Sequence, residues 1–411
     1  MKLIFTILFL VIIITSAFSQ TTEDVVTGAS YPDEVYYSLD NGTLKTAPRD
    51  SWDIAFKTDQ MSVSVLANNG TGMMVYTWPN GTIDDWETVD TTGMDWIPMY
   101  NSIVDWEVGA FNANSKPNNA DFDYGWGIYN TTNHHIYGDS IFIVKFSGGD
   151  VKKFTIVEKN ASPNTWNFKY ADLDGNNEID TTFDADDFKP SEFAYYSIAN
   201  NMIVEQEPAE RWQLLFTRYY DYTIPYMVSG VLANSEVSVQ QVNGVTQSDF
   251  EDYQTSMFND TLSQIGSDWK SFNMTTFQYD VATDIVYFLQ DTTGTDKSIW
   301  KLYFTGFDYT SGTYSFAKTK MNTTGINHFS ERNLTVYPNP ANQEINVIHD
   351  FSGDTEITIY NIAGQPVLKT QKSEGAGLNK NTLNISALPT GVYSLQVRSG
   401  NDVKTIKFLK D

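Results

Sequence analysis

The sequence predicts an all-β protein with two tandem antiparallel β-rich domains and a small C-terminal β-sandwich. Three observations carry this. Apolar and polar residues alternate with period two through almost every stretch, which is rich in Val, Ile, Thr, Tyr, Phe and Trp, the types that suit a pleated, half-buried surface. Turn dipeptides punctuate the alternation at Asn41-Gly42, Asn80-Gly81, Gly148-Gly149, Asn243-Gly244 and Ser311-Gly312. A set of short motifs recurs in the same order about 160 residues further on. Helix-like spacing is confined to 98–106 and to 249–265, where Phe250, Tyr253, Met257 and Leu262 recur.

The chain opens Met1-Lys2-Leu3, runs apolar from Ile4 to Ile14 and continues to Ala17-Phe18-Ser19. A basic start, a short apolar run and small residues at the end predict a signal peptide over 1–19, cleaved before Gln20, with a spacer over 20–30. The run is too short to span a bilayer, and no later segment is apolar enough to do so. With 411 residues there is room for two or three domains. Cysteine is absent, which excludes disulfides, thiolate metal sites, a cysteine nucleophile and a lipid on an N-terminal cysteine.

Charge divides the chain. Residues 20–332 hold 18 basic against 44 acidic side chains, whereas 333–411 hold seven of each. So acidic a body repels phosphate backbones, so no nucleic-acid partner is expected. The change in balance also marks a domain boundary near residue 333.

The repeat is read from five blocks. Tyr36-Tyr37-Ser38-Leu39 and Trp52-Asp53-Ile54-Ala55-Phe56 answer Tyr195-Tyr196-Ser197-Ile198 and Trp212-Gln213-Leu214-Leu215-Phe216. Val65-Leu66-Ala67-Asn68 answers Val231-Leu232-Ala233-Asn234, Asp105-Trp106 answers Asp268-Trp269, and Ser140 to Phe146 answers Ser298 to Phe304. In each Trp-x-aliphatic-x-Phe block the three large side chains fall on one strand face. The expected domains are therefore 31–189 and 190–322, with a linker over 323–332.

Residues 333–411 read as a sandwich of about seven strands. Their Tyr337-Pro338-Asn339-Pro340-Ala341 opening, Asn361 to Gln365 centre around Gly364, and Leu388-Pro389-Thr390-Gly391-Val392-Tyr393 close resemble the type A C-terminal sorting domain of the type IX secretion system of the Bacteroidetes. That resemblance implies recognition by the secretion machinery, passage across the outer membrane, usual removal of the tail, and a cell-surface or extracellular, outer-membrane-associated location.

The duplicated unit resembles the HmuY-like surface proteins of the same bacteria. The Tyr-Tyr-Ser-Leu and Trp52 to Phe56 opening carries the likeness, with Ile141 to Phe146, Lys152-Lys153-Phe154 and Trp166 to Tyr170 as closing strands. The resemblance implies a small hydrophobic ligand, haem first among them. Haem capture needs axial His or Met ligands in an apolar slot. His134 and His135 are the candidates, although neighbours on an extended chain point to opposite faces and a surface turn explains them equally well. Met73-Met74 is a further candidate.

One acidic stretch has oxygen ligands at the alternate positions that suit Ca²⁺: Asp172, Asp174, Asn176, Glu178 and Asp180. Its glycine is displaced and its closing Glu is absent, so a solvated connection between the copies is the other reading. No His-Glu-x-x-His, Gly-x-Ser-x-Gly or phosphate loop occurs, and an enzyme is not expected. The expectation is a secreted, non-enzymatic surface binding protein. A structural or adhesive surface protein without a small-molecule site is the alternative.

Overall fold

The computed structural model describes residues 20–114, 122–292, 298–321, 334–361, 364–375, 377–400 and 402–411. The expected signal peptide and the linker over 323–332 lie outside the described residues. The chain forms two compact units that meet in sequence between Met321 and Asn322.

The first unit is built from four principal antiparallel sheets. Sheet I runs Thr21–Val26, Thr313–Met321, Ile299–Asp308, Ile285–Asp291 and Val237–Asn243; sheet II runs Tyr226–Ala233, Leu214–Asp221, Asp33–Ser38 and Gly42–Pro48. Sheet III runs Met202–Val204, Phe193–Ser197, Ile54–Lys57 and Val65–Ala67. Sheet IV centres on Val151–Asn160 and Thr165–Asp172, with Phe142–Lys145 and Met74–Thr77 joined at one side. The all-β expectation holds, and among the described residues the helical turns are short 3₁₀ segments.

Two cores follow from strand alternation. Val35, Tyr37, Leu214, Phe216, Phe304 and Phe316 fill the space between sheets I and II, and Ile54, Phe56, Phe154, Trp166, Phe168 and Tyr196 that between III and IV. Residues in between them on sheets II and III point the other way, into a third buried layer. There Tyr36, Trp212, Leu215 and Leu232 from sheet II adjoin Trp52, Leu66, Phe193 and Tyr195 from sheet III, with Trp106 among both groups. That is why Glu34 to Ser38 and Phe193 to Ser197 are buried at every position rather than at alternate ones.

The strands of the two copies are exchanged. Asp33–Ser38 of the first copy pairs with Leu214–Asp221 of the second, with Tyr37 opposite Leu214 and Val35 opposite Phe216. Reciprocally, Phe193–Ser197 of the second copy pairs with Ile54–Lys57 of the first, with Tyr196 opposite Ile54. Matching hydrogen bonds recur on both sides. Gln213 N donates to Tyr37 O at 2.9 Å and Asp53 N to Tyr196 O at 2.8 Å. Leu39 N donates to Gln213 Oε1 at 3.0 Å and Ile198 N to Asp53 Oδ2 at 2.7 Å.

The 189/190 division of the sequence is therefore not a division of the pairing. Each core takes its Tyr-Tyr strand from the other copy. A repeat shows which strands correspond, but an exchanged strand and a retained one carry the same alternation.

Two further expectations are corrected. Asp105-Trp106 does not correspond spatially to Asp268-Trp269. Trp269 is in the sheet I–II core, stacked on Phe304 at 3.7 Å, whereas Trp106 lies in the third layer and donates to Ala233 O at 2.9 Å. Nor is 98–106 a helix: Met99 bridges to Val75 and the chain runs on without helical turns. In 249–265 the one helical segment is the single 3₁₀ turn Thr255–Met257, because Phe250 and Tyr253 pack beside Phe288 while Leu262 packs with Trp212.

The second unit has two sheets. Leu334–Tyr337, Glu344–His349 and Asn379–Asn384 form one, and Pro366–Glu374, Gly353–Tyr360, Gly391–Ser399 and Asp402–Lys410 the other. Val336, Ile345, Val347, Ile357, Leu395 and Val397 close its core. Among the described residues no helix is long and apolar enough to cross a membrane.

Candidate functional site

The third layer of the first unit leaves a cavity of about 70 Å³. Its apolar wall is Leu66, Leu215 and Leu232, its aromatic wall Tyr36, Trp52, Trp106 and Tyr195, and its remaining boundary includes Asn101, Ser102 and Ile103. At the rim, Gly70 brings its backbone against Arg218 of the other copy. A Cβ there would lie 2.4 Å from the Arg218 carbonyl oxygen, so this close approach requires glycine.

Two carboxyl groups are buried in the layer. Glu34 accepts from Thr217 Oγ1 at 2.7 Å and from Gln206 Nε2 at 2.9 Å. Its burial raises its pKa in spite of those donors. Glu207 accepts from Glu192 N at 2.9 Å, Phe193 N at 3.2 Å, Tyr195 Oη at 2.8 Å and Trp212 Nε1 at 3.1 Å. Burial pushes it up to about 7 against the pull of these bonds.

Two polar atoms of the same layer have only loosely aligned partners: Trp52 Nε1 faces the Glu34 carboxyl and Tyr36 Oη faces Tyr195 Oη. Their residues are 7 % and 0 % exposed, and both line the cavity.

The residues singled out from sequence lie elsewhere. His134 occupies the exposed turn after Gly127–Tyr129 with φ +63°, and its Nδ1 is 2.5 Å from Tyr129 Oη. His135 Nδ1 is 3.0 Å from Glu158 Oε1. Neither lines the cavity. Met73 is core filler between sheets III and IV, and the Met74 sulfur is 3.0 Å from Tyr76 Oη.

The acidic stretch does not converge. Asp172 is held by Lys152 at 2.6 Å and by Asn177 at 2.6 Å, Asp174 accepts from Asn176, Glu178 accepts from Trp86 Nε1 at 2.7 Å, and Asp180 accepts from Asn167. Among the described residues no three His, Asp or Glu side chains are grouped to hold a metal.

Glu34, Glu207 and the polar tips of Tyr36 and Trp52 escaped sequence reasoning. One carboxylate among the 44 acidic residues of the body carries no local mark of burial. The signal present was the pair of repeated Tyr-Tyr and Trp blocks, whose inner faces were read only as core.

In the second unit the motif residues make the corners. Asn339 Oδ1 accepts from Leu409 N at 2.9 Å and Ala341 N donates to Leu409 O at 2.8 Å, so the segment Tyr337-Pro338-Asn339-Pro340 latches the last strand. Gly364 turns with φ +73° and donates to Asn361 O. Tyr393 Oη donates to Pro389 O at 2.8 Å, its ring stacks on Phe408, and Gly391 starts their strand.

Residues 335–411 match the secretion system C-terminal sorting domain family. No curated protein matches the chain. Among solved structures it is similar to dimeric latent PorU from Porphyromonas gingivalis at 10% identity and a TM-score of 0.17. That alignment covers 95% of this chain and 34% of the other, so this chain spans about a third of that protein's length. The C-terminal unit is therefore a secretion-system sorting domain, which implies export by the type IX route to the cell surface.

Proposed function

We propose that the acidic body is a non-enzymatic binding module, carried to the cell surface by its sorting tail, and that its ligand occupies the cavity between sheets II and III. The observation that supports this most is the cavity itself, walled by Leu66, Leu215, Leu232 and the rings of Tyr36, Trp52, Trp106 and Tyr195, with the buried Glu34 carboxyl at its lining. Binding sites are concave, mostly apolar and provided with a few directed polar groups. The haem capture implied by the HmuY-like resemblance would use His134 and His135 instead, on an exposed turn where Tyr129 and Glu158 already engage both rings.

A surface-adhesive reading draws on a different feature. The hairpin formed by Lys270–Asn273 and Gln278–Val281 exposes Phe272, Met274 and Phe277, and Tyr226 is exposed beside it.

Tryptophan fluorescence of the chain from Gln20 to Asp411 tests the binding reading, since Trp52 and Trp106 line the cavity. Haemin, a hexose and propionate serve as probes, with Leu232→Phe to fill the space. A saturable change with at least one probe, lost in the filled variant, is expected. Saturable haemin binding that survives filling but disappears in a His134→Ala, His135→Ala double variant moves the site to the histidine turn. No saturable response to any probe removes the small-ligand reading and leaves adhesion.

A further inference from the structure

Two neighbouring hairpins of the first unit carry large apolar side chains on the outside. Leu214–Asp221 turns into Tyr226–Ala233, and Lys270–Asn273 turns into Gln278–Val281. At the first turn Tyr222, Ile224 and Tyr226 are exposed, and at the second Phe272, Met274 and Phe277, with Met274 exposed to 74 %. The tips lie side by side and run out the same way. At the base, Lys270 Nζ donates to Ser229 O at 2.5 Å. Further out, burial raises the Tyr279 pKa and the neighbouring Tyr226 hydroxyl adds to the rise. Tyr226 is on the turn side of Ser229, and Tyr279 is on the turn side of Lys270.

The backbone is strained where it presents these side chains. Phe277 has φ +54°, the left-handed region that a bulky residue rarely enters. Charge is missing from both tips. Charged residues make up 19% of the chain, yet none occurs in 222–229 or 271–279. Acidic groups return at the bases, where they fix the turns. Thr223 N donates to Asp221 Oδ1 at 2.9 Å, and Asn273 Nδ2 donates to Asp280 Oδ2 at 2.8 Å.

Size decides among the occupants. A stable protein partner, or a second copy of this chain, needs about 800 Å² and about 20–30 residues on each side. Two hairpin tips fall well short of that. Attachment to a lipid surface scales instead with the apolar area inserted, and the soft headgroup layer accepts a protruding tip. Tyrosine at the edge with Phe, Met and Ile at the point matches how such side chains distribute across a membrane interface. The acidic bases and the acidic body are repelled by anionic lipid, which sets the charge of the surface.

Resting on the reading of the 270–281 hairpin as adhesive, we propose that the paired tips dip into the headgroup layer of a zwitterionic phospholipid bilayer. Ile224, Phe272, Met274 and Phe277 enter it, Tyr222 and Tyr226 lie at its rim, and Asp221 and Asp280 stay in water and limit the depth.

The test is flotation of the chain from Gln20 to Asp411 with phosphatidylcholine vesicles over a range of lipid concentrations. Saturable binding is expected, weaker on vesicles that also contain phosphatidylglycerol, and the difference should shrink as salt is raised. Phe277→Gly and Met274→Ser should each weaken binding about fivefold or more. Glycine relieves the left-handed backbone at 277, so the melting temperature of Phe277→Gly should be unchanged or raised, and loss of binding there cannot be ascribed to unfolding. Met61→Ser removes an apolar side chain that is 83 % exposed on the connection after Ile54–Lys57, and should leave binding as it was.

No flotation with phosphatidylcholine overturns the lipid assignment. Binding that both tip variants retain, or tighter binding to the anionic vesicles, overturns it as well. Attachment to whole cells separates this from the reading beneath it. If the chain attaches to cells and Phe277→Gly loses that attachment while no vesicle binds, the hairpin remains adhesive and only the lipid falls. If neither cells nor vesicles bind the chain through these tips, both readings fall.

Discussion

Tyr36 of the first repeat lies edge-on to Trp212 of the second, ring centroids 5.3 Å apart, and Tyr195 of the second lies edge-on to Trp52 of the first at 5.0 Å. These crossed pairs sit where the two sheets built from both copies face each other. They are the local expression of the strand exchange, since each tyrosine reaches the tryptophan of the other copy only because its strand has been given to that copy's sheet. Edge-to-face pairs of this kind contribute about 0.5–1.5 kcal/mol each beyond their buried area.

The exchange makes the halves interdependent. Residues 20–189 expressed alone would expose the core that Tyr196 and Ile198 cover, and residues 190–321 alone would lose Val35, Tyr37 and Leu39 from theirs. Each buried Val, Leu or Phe-sized side chain is worth about 1.5–3 kcal/mol, so three such losses consume much of a domain's margin. Neither half should give a cooperative melt alone, while the two mixed during refolding should recover one. Circular dichroism with size-exclusion chromatography checks this. Cooperative, monomeric folding of either half alone would contradict the pairing.

Glu207 predicts how stability depends on pH. Its carboxyl is raised to about 7 in the folded protein from an ordinary 4.5, so the folded state holds its proton more tightly than the unfolded chain. The stabilisation is present in full below the unfolded value and is lost as pH rises through 7. That difference corresponds to about 3 kcal/mol. Glu34 is shifted in the same direction by the same cause. The melting temperature should therefore fall between pH 5 and pH 8, and Glu207→Gln, which cannot ionise, should flatten that slope. An unchanged slope in the variant would assign the effect to other groups.

Calcium should leave the melting temperature where it is. Asp172, Asp174, Glu178 and Asp180 are each committed to a different neighbour, and gathering them round an ion would break the Asp172–Lys152 contact and the Glu178–Trp86 bond. Thermal melts in 5 mM CaCl₂ and in excess EDTA compare the two states. A rise of several degrees with calcium would show that the stretch rearranges to bind it.

What could be read from the residues, and what could not, follows from the range of the forces involved. The tail is legible because two of its motifs make corners within a short span: Gly364 turns back on Asn361 and Tyr393 reaches back four residues to Pro389. The duplication is legible because the strand faces repeat. The exchange is hidden, since Tyr37 would present the same face to a core of either copy. The helix-like spacing at 249–265 misleads because its apolar residues serve two separate clusters, Phe250 and Tyr253 in one and Leu262 in another. The candidate site is least legible of all. Its walls, Tyr36, Trp52, Leu66, Tyr195, Leu215 and Leu232, come from strands far apart in the chain and meet only once the sheets are folded against each other.

The sorting tail carries the last prediction. Its first motif holds its last strand through Asn339 Oδ1, which accepts from Leu409 N, and through Ala341 N, which donates to Leu409 O. Asn339→Ala removes the first of these bonds and should destabilise the tail by about 1 kcal/mol. The final strand would then be held on that side only by the two bonds with Ala341, from Ala341 N to Leu409 O and from Asp411 N to Ala341 O, and should fray first there. If the secretion machinery reads the folded sandwich, export should fall in step with that fraying, whereas deletion of 334–411 should abolish it and leave the body in the periplasm. Cell fractionation with immunoblotting of the body measures both. Full surface delivery without 334–411 would refute the role of the tail. Full delivery of Asn339→Ala with a destabilised tail would show that the machinery recognises the motif's sequence rather than its folded corner.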